Sequence, residues 1–409
     1  MMNKTFRASQ AIILYSLIAF LFFISIVPLF ATIALVAAIL IWAVNKGWKE
    51  SFEAIRENKT WWIFIAFYAF HVLSLFWSEN LKYAFFDLQI KLSYLLCPIV
   101  FAGFTLSETD WKKLRAAFIA GTLLASLICM GNALFQFFSN GTTEYFFYNK
   151  FSVLMHPTYF MVYLNLSVLF IFYDLFWARE EGKGMRTIYM LALFLQLLTL
   201  FLLSARTALA TCLITFIIYT IVMLRQKKFV KMDAIPVTLF FICAMVFQLG
   251  ILSFFNRYDQ VTEMIKHPDT KEENSTSIRY NLWKIAGDLI FEHPVAGVGI
   301  GDIKEELLKK YEEYHYEYGI VNKISPHNQY LHTAVILGLT GVFLLLAMLA
   351  SAFLLAWRNG DWIYILFVVI IAMNCITESI LERQAGILFF AFFNSMFATR
   401  LIGTGKDKR

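Results

Sequence analysis

Residues 331–357 have the sequence LHTAVILGLTGVFLLLAMLASAFLLAW, a stretch that contains no Asp, Glu, Lys or Arg. An α-helix rises about 1.5 Å per residue, so roughly 20 apolar residues are enough to cross the hydrocarbon core of a bilayer. The stretch is longer than this requirement and lacks the charges that make insertion costly. It therefore predicts a transmembrane helix.

The composition of the whole chain agrees with this prediction. Of its 409 residues, 59% are hydrophobic, 16% are charged and 43 are Phe, whereas about 25% of residues are charged in typical soluble domains. A soluble protein could not bury this much apolar side chain, because a large part of any compact surface stays exposed. The same values exclude an intrinsically disordered chain, and five cysteines in this length exclude a small disulfide-stabilised domain. We expect an all-α, polytopic membrane protein.

Eleven further apolar runs of similar character occur along the chain, so we expect about twelve transmembrane helices. The predicted spans are 11–27, 29–44, 61–77, 87–104, 115–138, 156–177, 188–203, 207–224, 236–255, 331–357, 362–378 and 385–402. This pattern divides the chain into three parts. Residues 1–255 contain the first nine helices, residues 256–330 form one large loop, and residues 331–409 contain the last three helices and a tail.

Lys and Arg are distributed unequally between the two sides of the membrane that these spans define. If the N-terminus is cytoplasmic, the cytoplasmic segments carry 21 of these residues and the short outer segments carry five. Cytoplasmic loops of membrane proteins are enriched in Lys and Arg. The asymmetry predicts that both termini are inside and that the loop 256–330 is outside. It also accounts for the net charge of +6 without a nucleic-acid partner.

The loop 256–330 differs from the rest of the chain because it is rich in charged residues. It holds 13 acidic and 9 basic residues, a net charge of −4, which argues against a basic patch for anionic lipids. Apolar residues at helical spacing predict an amphipathic helix over residues 278–291, with a preceding Ser or Thr as its N-cap. A second helix, charged and rich in tyrosine, is predicted over residues 302–318.

Between these two helices lies the glycine-rich segment Gly297-Val298-Gly299-Ile300-Gly301. No parallel strand precedes it, so a dinucleotide-binding fingerprint is excluded. A tight turn in which backbone approaches backbone is the favoured interpretation. The alternative is that the backbone amides of this segment contact a phosphate group.

Three residues that are far apart in sequence are predicted on the outer side of the membrane. Arg206 lies at the outer end of two spans, Arg279 in the first turn of the loop helix, and His327 just before the tenth span. Arg206 could instead be an interfacial anchor whose charge reaches water. Arg279 could form a salt bridge with Asp288 or Glu263, and the imidazole could belong to a structural turn. The shared outer position favours one common site.

Two cations and one imidazole at this position suit a lipid-linked pyrophosphate. The planar guanidinium of Arg binds two phosphate oxygens at once, and a neutral His can accept the proton of an attacking hydroxyl. His332, one turn beyond His327, is a candidate partner. Because no nucleotide is available outside the cytoplasmic membrane, the activated lipid would have to supply the energy. The residues indicate a glycosyl transferase without naming its substrates.

Four segments of the sequence resemble the O-antigen ligase and polymerase superfamily. The first lies between two predicted spans, the second opens the loop helix, the third is the glycine-rich segment, and the fourth leads into the tenth span. They are SART (204–207), SIRYNLW (277–283), PVAGVGIG (294–301) and PHNQYL (326–331). The resemblance covers about residues 200–400 in its order and topology, and the span count overall.

This resemblance implies a GT-C-type glycosyltransferase of the bacterial inner membrane, with its active site facing the periplasm. Such enzymes move a glycan from undecaprenyl pyrophosphate, and in O-antigen ligases the acceptor is a sugar hydroxyl of the lipid A–core. The reaction is thought to be metal-independent, so neither metal nor cofactor is expected. Matched by motif, Arg206 and Arg279 would bind the pyrophosphate, and His327 would activate the acceptor hydroxyl. Four neighbouring residues are candidates for supporting roles: Asn328, Tyr280, Gly299 and Gly301.

Other functions remain open on these residues. An O-antigen or exopolysaccharide polymerase would use the same donor with a second lipid-linked glycan as acceptor, and a related enzyme would transfer the glycan to protein. A lipid-linked glycan transporter would place charges in a central cavity and show repeated halves, whereas most basic residues here lie in loops. A non-catalytic scaffold would leave Arg206, in its apolar surroundings, unexplained.

Overall fold

The computed structural model describes residues 4–45, 47–57, 60–178, 182–203, 206–226 and 275–406. Within these ranges every regular element is helical, as the all-α prediction requires. The predicted ninth span, residues 236–255, and the first part of the predicted outer loop lie outside the described residues.

Seventeen α-helices occur in the described part of the chain, and short 3₁₀ or π turns follow several of them. The helices are α1 (Lys4–Phe23), α2 (Pro28–Val44), α3 (Trp48–Glu57), α4 (Thr60–Leu73), α5 (Leu81–Lys91), α6 (Ser93–Ala102), α7 (Glu108–Asn140), α8 (Tyr148–Phe151), α9 (Pro157–Phe172), α10 (Lys183–Leu203), α11 (Arg206–Arg225), α12 (Ser275–Glu292), α13 (Ile303–Glu313), α14 (Glu317–Asn322), α15 (Gln329–Asn359), α16 (Trp362–Thr377) and α17 (Gln384–Lys406).

Six helical segments of the described residues are long and apolar enough to cross a membrane. They are Leu81–Ala102, Glu108–Asn140, Pro157–Trp177, Lys183–Leu203, Gln329–Asn359 and Gln384–Ile402. A seventh span results if α2 and α3, which meet at 87°, are counted together, and four further apolar helices are shorter. The protein is therefore a multi-pass membrane protein. Each long segment overlaps a span predicted from the sequence, while the total of twelve stays a prediction.

The fourth span begins earlier than predicted. It runs from Leu81 to Ala102 and consists of α5 and α6, so Asp87 and Lys91 lie inside it rather than at its start. The two side chains form a buried ion pair with 2.7 Å between Nζ and Oδ2. A hydropathy scale treats Asp87 and Lys91 as two separate charges, whereas oppositely charged residues one helical turn apart pair with each other. This ion pair is the reason that the fourth span begins earlier in the structure than the sequence predicts.

Helix α9 runs through the middle of the helix bundle. All of its residues except Thr158 are buried, which is expected of a helix that other helices surround. Helices α7, α10, α11 and α16 pack against it. The ring of Tyr163 stacks on Phe389 of α17, with 4.5 Å between the ring centres. Aromatic side chains therefore fill the centre of the bundle.

The described part of the predicted outer loop packs on the bundle through a second apolar core. The buried face of α12 consists of Leu282, Ile285, Ala286 and Leu289, all of which lie within the predicted amphipathic helix 278–291. This face packs with residues of α5, α13 and the first turns of α15. The prediction of an amphipathic helix is confirmed, and its burial fixes the loop on one end of the bundle.

The glycine-rich segment forms a tight turn against the backbone of α15. The Val298 N–H donates to the Val335 carbonyl at 2.9 Å, and the Gly299 N–H donates to the Ile336 carbonyl at 2.9 Å. Gly338 interrupts α15 with φ of +65° and ψ of −167°, a conformation that only glycine adopts readily. A Cβ atom there would lie 2.3 Å from the Val295 carbonyl. The structure therefore agrees with the favoured interpretation of close backbone contact.

The charged helix predicted over residues 302–318 is wrong in its length. Helix α13 ends at Glu313, and α14 begins at Glu317. Between them His315 adopts a φ of +50°, and the Tyr316 N–H donates to the Tyr311 carbonyl at 2.8 Å. The ring of Tyr311 then packs against Gly319. The turn is thus stabilised by tertiary packing, which has no local signature in a charged helical sequence.

Candidate functional site

One carboxylate joins two of the residues that were singled out from the sequence. Glu378 follows α16, and its Oε1 lies 3.3 Å from Arg279 Nη2. Its other oxygen, Oε2, lies 2.9 Å from His327 Nδ1. Arg279 and His327 are 48 positions apart in the chain, yet they contact the two oxygens of a single side chain. The structure therefore brings these two candidate residues together on one carboxylate.

The loop helix α12 is tied to the segment that carries His327. Arg279 and Trp283 are one helical turn apart and lie on the same side of α12. The indole Nε1 of Trp283 donates to the Pro326 carbonyl at 2.9 Å, directly before His327. A single helix thus supplies one site residue and holds the backbone next to the other.

His327 has a backbone conformation that is unusual for its residue type. Its φ is +48°, in the left-handed region that non-glycine residues rarely adopt. The next residue, Asn328, is the N-cap of α15, and its side-chain oxygen accepts from the Leu331 N–H at 3.0 Å. Left-handed residues are held in place only where surrounding structure imposes them, and they concentrate at functional sites. Here the helix cap and the Trp283 contact fix the residues on both sides.

Two nitrogens of the His327 ring have different roles in this arrangement. An ionised carboxylate can only accept hydrogen bonds, so the proton between Glu378 and His327 belongs to Nδ1. In the neutral ring Nε2 then carries a lone pair. The contact with Glu378 therefore selects the form of His327 whose Nε2 can accept a proton.

The segment that carries Glu378 is anchored by a buried polar cluster below the site. This cluster consists of Asp87, Lys91, Gln329, His332 and Glu382. Lys91 Nζ lies 2.5 Å from Glu382 Oε2 and 2.7 Å from Asp87 Oδ2. Gln329 donates to Glu382 Oε1 at 2.5 Å and accepts from the Leu381 N–H at 2.7 Å. These contacts connect α5, α15 and the α16–α17 turn.

His332 belongs to this buried cluster rather than to the pair formed by Glu378 and His327. Its Nε2 lies 3.3 Å from Glu382 Oε2, and its side chain is 10% exposed, against 34% for His327. His332 is therefore not a direct partner of His327. Its carboxylate partner is four residues further along the chain than the partner of His327.

Two further polar residues, Tyr148 and His156, interact electrostatically with Glu378, and Arg383 interacts with His156. Tyr148 belongs to α8, His156 precedes α9, and Arg383 precedes α17. Burial raises the pKa of Tyr148, the charge of Glu378 adds to this, and Arg279 opposes it. Desolvation lowers the pKa of His156, Glu378 opposes the shift, and Arg383 and His327 add to it. His156 is thus favoured in its neutral form beside the same carboxylate.

Arg206 is the first residue of α11, but its side chain lies outside the described residues. Its expected contact with the same anion as Arg279 stays a prediction. Arg279 itself pairs with Glu378 rather than with Asp288, the alternative partner considered above. Asp288 instead accepts a hydrogen bond from the Tyr314 hydroxyl, because it faces α13 from the other side of α12. Glu263 lies outside the described residues.

The four residues proposed for supporting roles have different surroundings. Tyr280 is 54% exposed and is next to Arg279. Asn328 is buried and caps α15. The Gly299 amide donates to the Ile336 carbonyl, and the Gly301 amide donates to the Ser78 hydroxyl at 3.1 Å. Because both amides already have acceptors in the protein, the geometry favours a packing role for the two glycines over a phosphate contact.

Glu378 was missed in the sequence. Its signal was available, because Glu378 ends the predicted span 362–378 on the side assigned to Arg279 and His327, and a second carboxylate, Glu382, follows in the short connection to the last span. Acidic residues were expected only as salt-bridge partners of Arg279, because a pyrophosphate site calls for groups that bind an anion. Among the residues that the structure describes, no group of three or more His, Cys, Asp and Glu side chains is arranged to hold a metal ion.

Comparison with models of known protein families gives a match. The sequence model of the family described as O-antigen ligase matches residues 191–346. The matched range contains Arg206, Arg279 and His327, and it ends before Glu378. No curated protein matches the chain.

Proposed function

We propose that the chain, whose residues 191–346 match the sequence model of the O-antigen ligase family, transfers a glycan from undecaprenyl pyrophosphate to a sugar hydroxyl of the lipid A–core. The family comprises O-antigen ligases and related polymerases, which are membrane glycosyltransferase-like enzymes. The reaction takes place at the periplasmic face of the bacterial inner membrane, in a GT-C-type fold with about twelve spans. The single observation that carries this proposal is the convergence of Arg279 and His327 on Glu378.

Arg279 has the role of an anion ligand in this proposal. Its side chain is 37% exposed, so an incoming pyrophosphate can reach it, and its guanidinium can bind two phosphate oxygens. Arg206 supplies the second cation. The two charges stabilise the pyrophosphate as it leaves the sugar, because negative charge develops on the bridging oxygen when the glycosidic bond breaks.

His327 has the role of the general base. Its Nε2 takes the proton of the acceptor hydroxyl while the hydroxyl oxygen attacks the anomeric carbon. The bond between that carbon and the phosphate oxygen breaks, and its electron pair leaves with undecaprenyl pyrophosphate. Direct displacement of this kind inverts the anomeric configuration. The arginines supply the positive charge near the leaving group, so the reaction is proposed to need no metal ion and no cofactor.

Transfer by the purified protein tests this proposal directly. The protein in lipid nanodiscs is given undecaprenyl-pyrophosphate-linked glycan and lipid A–core in the presence of excess chelator. We expect glycan on the lipid A–core. Activity that is lost in chelator and restored by Mg²⁺ or Mn²⁺ would contradict the metal-free mechanism, and no transfer under either condition would contradict the ligase reaction.

Analysis of lipopolysaccharide from a deletion strain separates the ligase from its relatives. Free lipid-linked polymer together with bare core indicates a ligase. Loss of polymer length with one repeat unit still attached indicates a polymerase, and loss of glycan from a protein indicates a protein transferase. Polymer trapped at the cytoplasmic face would favour a transporter of lipid-linked glycan instead.

A further inference from the structure

We propose that Glu378 is a positioning residue that couples the arrival of the anionic donor to the activation of His327. This inference rests on the proposed function. Without donor, Glu378 is shared between Arg279 and His327. When the pyrophosphate binds, Arg279 leaves Glu378 and contacts the pyrophosphate. The carboxylate of Glu378 then contacts His327 alone.

The geometry shows which of the two contacts is the more easily exchanged. Glu378 Oε1 and Arg279 Nη2 are 3.3 Å apart, whereas Glu378 Oε2 and His327 Nδ1 are 2.9 Å apart. The Arg279 side chain is the more exposed partner, at 37% against 24% for Glu378. A partly exposed ion pair at 3.3 Å adds little stability, and a pyrophosphate offers more negative charge and more oxygen acceptors than one carboxylate. Donor binding can therefore displace Glu378 from Arg279.

The carboxylate itself is held in place by the protein below it. The Glu378 N–H donates to the Asn374 carbonyl at 3.0 Å, and the following turn is attached through Leu381 and Glu382 to Gln329. Lys91 holds Glu382 from the neighbouring helix. Because Gln329 lies in the first turn of the same helix that follows His327, Glu378 and His327 share one support. Their contact is preserved when Arg279 moves.

The exchange has a direct chemical consequence for proton transfer. As His327 Nε2 accepts the acceptor proton, the ring becomes positively charged, with its Nδ1 proton still bonded to Glu378. A carboxylate without another cation partner stabilises this imidazolium better than one shared with Arg279. The proton therefore rests on His327 while the sugar–phosphate bond breaks, and it passes to water after the products separate. The base is fully effective only when a donor occupies the site.

The variant Glu378→Gln separates this role from a structural one. It removes the charge that competes for Arg279, so binding of undecaprenyl pyrophosphate in nanodiscs should become about two- to fivefold tighter, as expected from loss of a partly exposed ion pair. It also removes the charge that stabilises the imidazolium, so turnover should fall about 10- to 100-fold, as for other residues that orient a reacting group. Affinity and turnover should thus change in opposite directions.

Three further variants control this experiment. Glu306→Gln is the matched carboxylate, since Glu306 also has one cation partner, Lys309, and a similar exposure of 28%; we expect no change in either quantity. The double variant Arg279→Ala/Glu378→Gln should bind the donor no more tightly than Arg279→Ala, because Glu378 no longer has Arg279 to compete for. Glu378→Asp restores the negative charge and should recover part of the turnover.

Three results would overturn the proposal. In a wild-type protein that transfers glycan, parallel loss of affinity and turnover in Glu378→Gln would indicate a structural role. Unchanged turnover in Glu378→Gln would show that Glu378 has no role in glycan transfer. A Glu378→Asp variant that folds, as judged by its thermal unfolding, but recovers nothing would exclude the charge as the cause. A wild-type protein that neither binds undecaprenyl pyrophosphate nor transfers glycan contradicts the proposed function itself, which is a separate outcome.

Discussion

Arg279 is the predicted cation whose side chain the structure places beside His327. We expect Arg279→Ala to slow glycan transfer by roughly 10- to 100-fold, because a charge-assisted contact contributes about 1.5–3 kcal/mol. Arg279→Lys should recover only part of the rate, since an ammonium cannot bind two oxygens in the planar manner of a guanidinium. The measurement is the initial rate of transfer in nanodiscs.

Lys284 provides a matched control on the same helix. Its ammonium lies over the ring of Tyr314, 5.7 Å from the ring centre, and not beside Glu378. Lys284→Ala should leave transfer unchanged. Normal transfer by a membrane-inserted Arg279→Ala protein would show that Arg279 is not an anion ligand. The same loss is predicted for Arg206→Ala.

His327 should be needed for turnover and not for donor binding. His327→Ala is expected to reduce transfer by about 10²- to 10⁴-fold, the usual contribution of a general base, while undecaprenyl pyrophosphate still binds through the arginines. His315→Ala is the control, because His315 has nearly the same backbone conformation, with φ of +50°, in the turn after α13. Equal transfer by His327→Ala and the wild type at matched expression would exclude the base role.

Lys91 is expected to matter for stability. Its ammonium lies between two buried carboxylates, Asp87 and Glu382, so Lys91→Met leaves both without their cation. Removal of one partner from a buried ion pair costs about 3–5 kcal/mol. We expect a large decrease in the thermal unfolding temperature of the purified protein.

Lys310 is the matched control for Lys91, since it also pairs with two carboxylates. Its partners Glu292 and Glu313 are 49% and 58% exposed, so water solvates them when the lysine is removed. Lys310→Met should therefore change the unfolding temperature much less. Equal decreases in the two variants would show that the buried cluster does not stabilise the fold.

Helix α15 is interrupted at a single glycine, Gly338. Gly338→Ala would place a Cβ 2.3 Å from the Val295 carbonyl in addition to straining a backbone with φ of +65°. Gly360 has a similar φ of +66°, but no heavy atom lies within 4 Å of its Cβ position. Gly360→Ala therefore measures only the backbone strain, about 1–2 kcal/mol.

We expect Gly338→Ala to lower the unfolding temperature clearly more than Gly360→Ala. The difference between the two variants reports on the approach of the glycine-rich segment to α15. Since His327 precedes the first turn of this helix, Gly338→Ala should also reduce transfer. Equal effects of the two substitutions on the unfolding temperature would mean that the close approach of the glycine-rich segment to α15 does not contribute to stability.

The whole molecule is predicted to carry its site on the periplasmic side of the membrane. The 21-to-5 distribution of Lys and Arg places residues 256–330 outside and both termini inside. In cells with an intact inner membrane, an impermeant thiol reagent should label Ser277→Cys and not Lys408→Cys. The reverse labelling pattern would place the site on the cytoplasmic face, where a periplasmic ligase could not use it.

Helix positions and the shared location of two candidate site residues were predictable from local sequence. Long apolar runs predict spans because the bilayer sets a minimum length for an apolar helix, and the face of α12 was predictable because helical periodicity is a local property. Arg279 and His327 were predicted because their motifs and the charge asymmetry place them on one side of the membrane. The helix positions depend on residues that are close together in the chain. The shared location of Arg279 and His327 depends on the side of the membrane on which each segment lies.

Which carboxylate contacts both Arg279 and His327 was decided by the tertiary structure. Glu378 is 99 positions from Arg279 and 51 from His327, and its supporting contact between Lys91 and Glu382 spans 291 positions. The same is true of the break at Gly338, which exists because the glycine-rich segment packs against α15. Which carboxylate meets which cation depends on how the helices pack and turn relative to one another. The hydrophobic pattern of a membrane protein specifies that packing only weakly, because lipid and protein interior are similarly apolar.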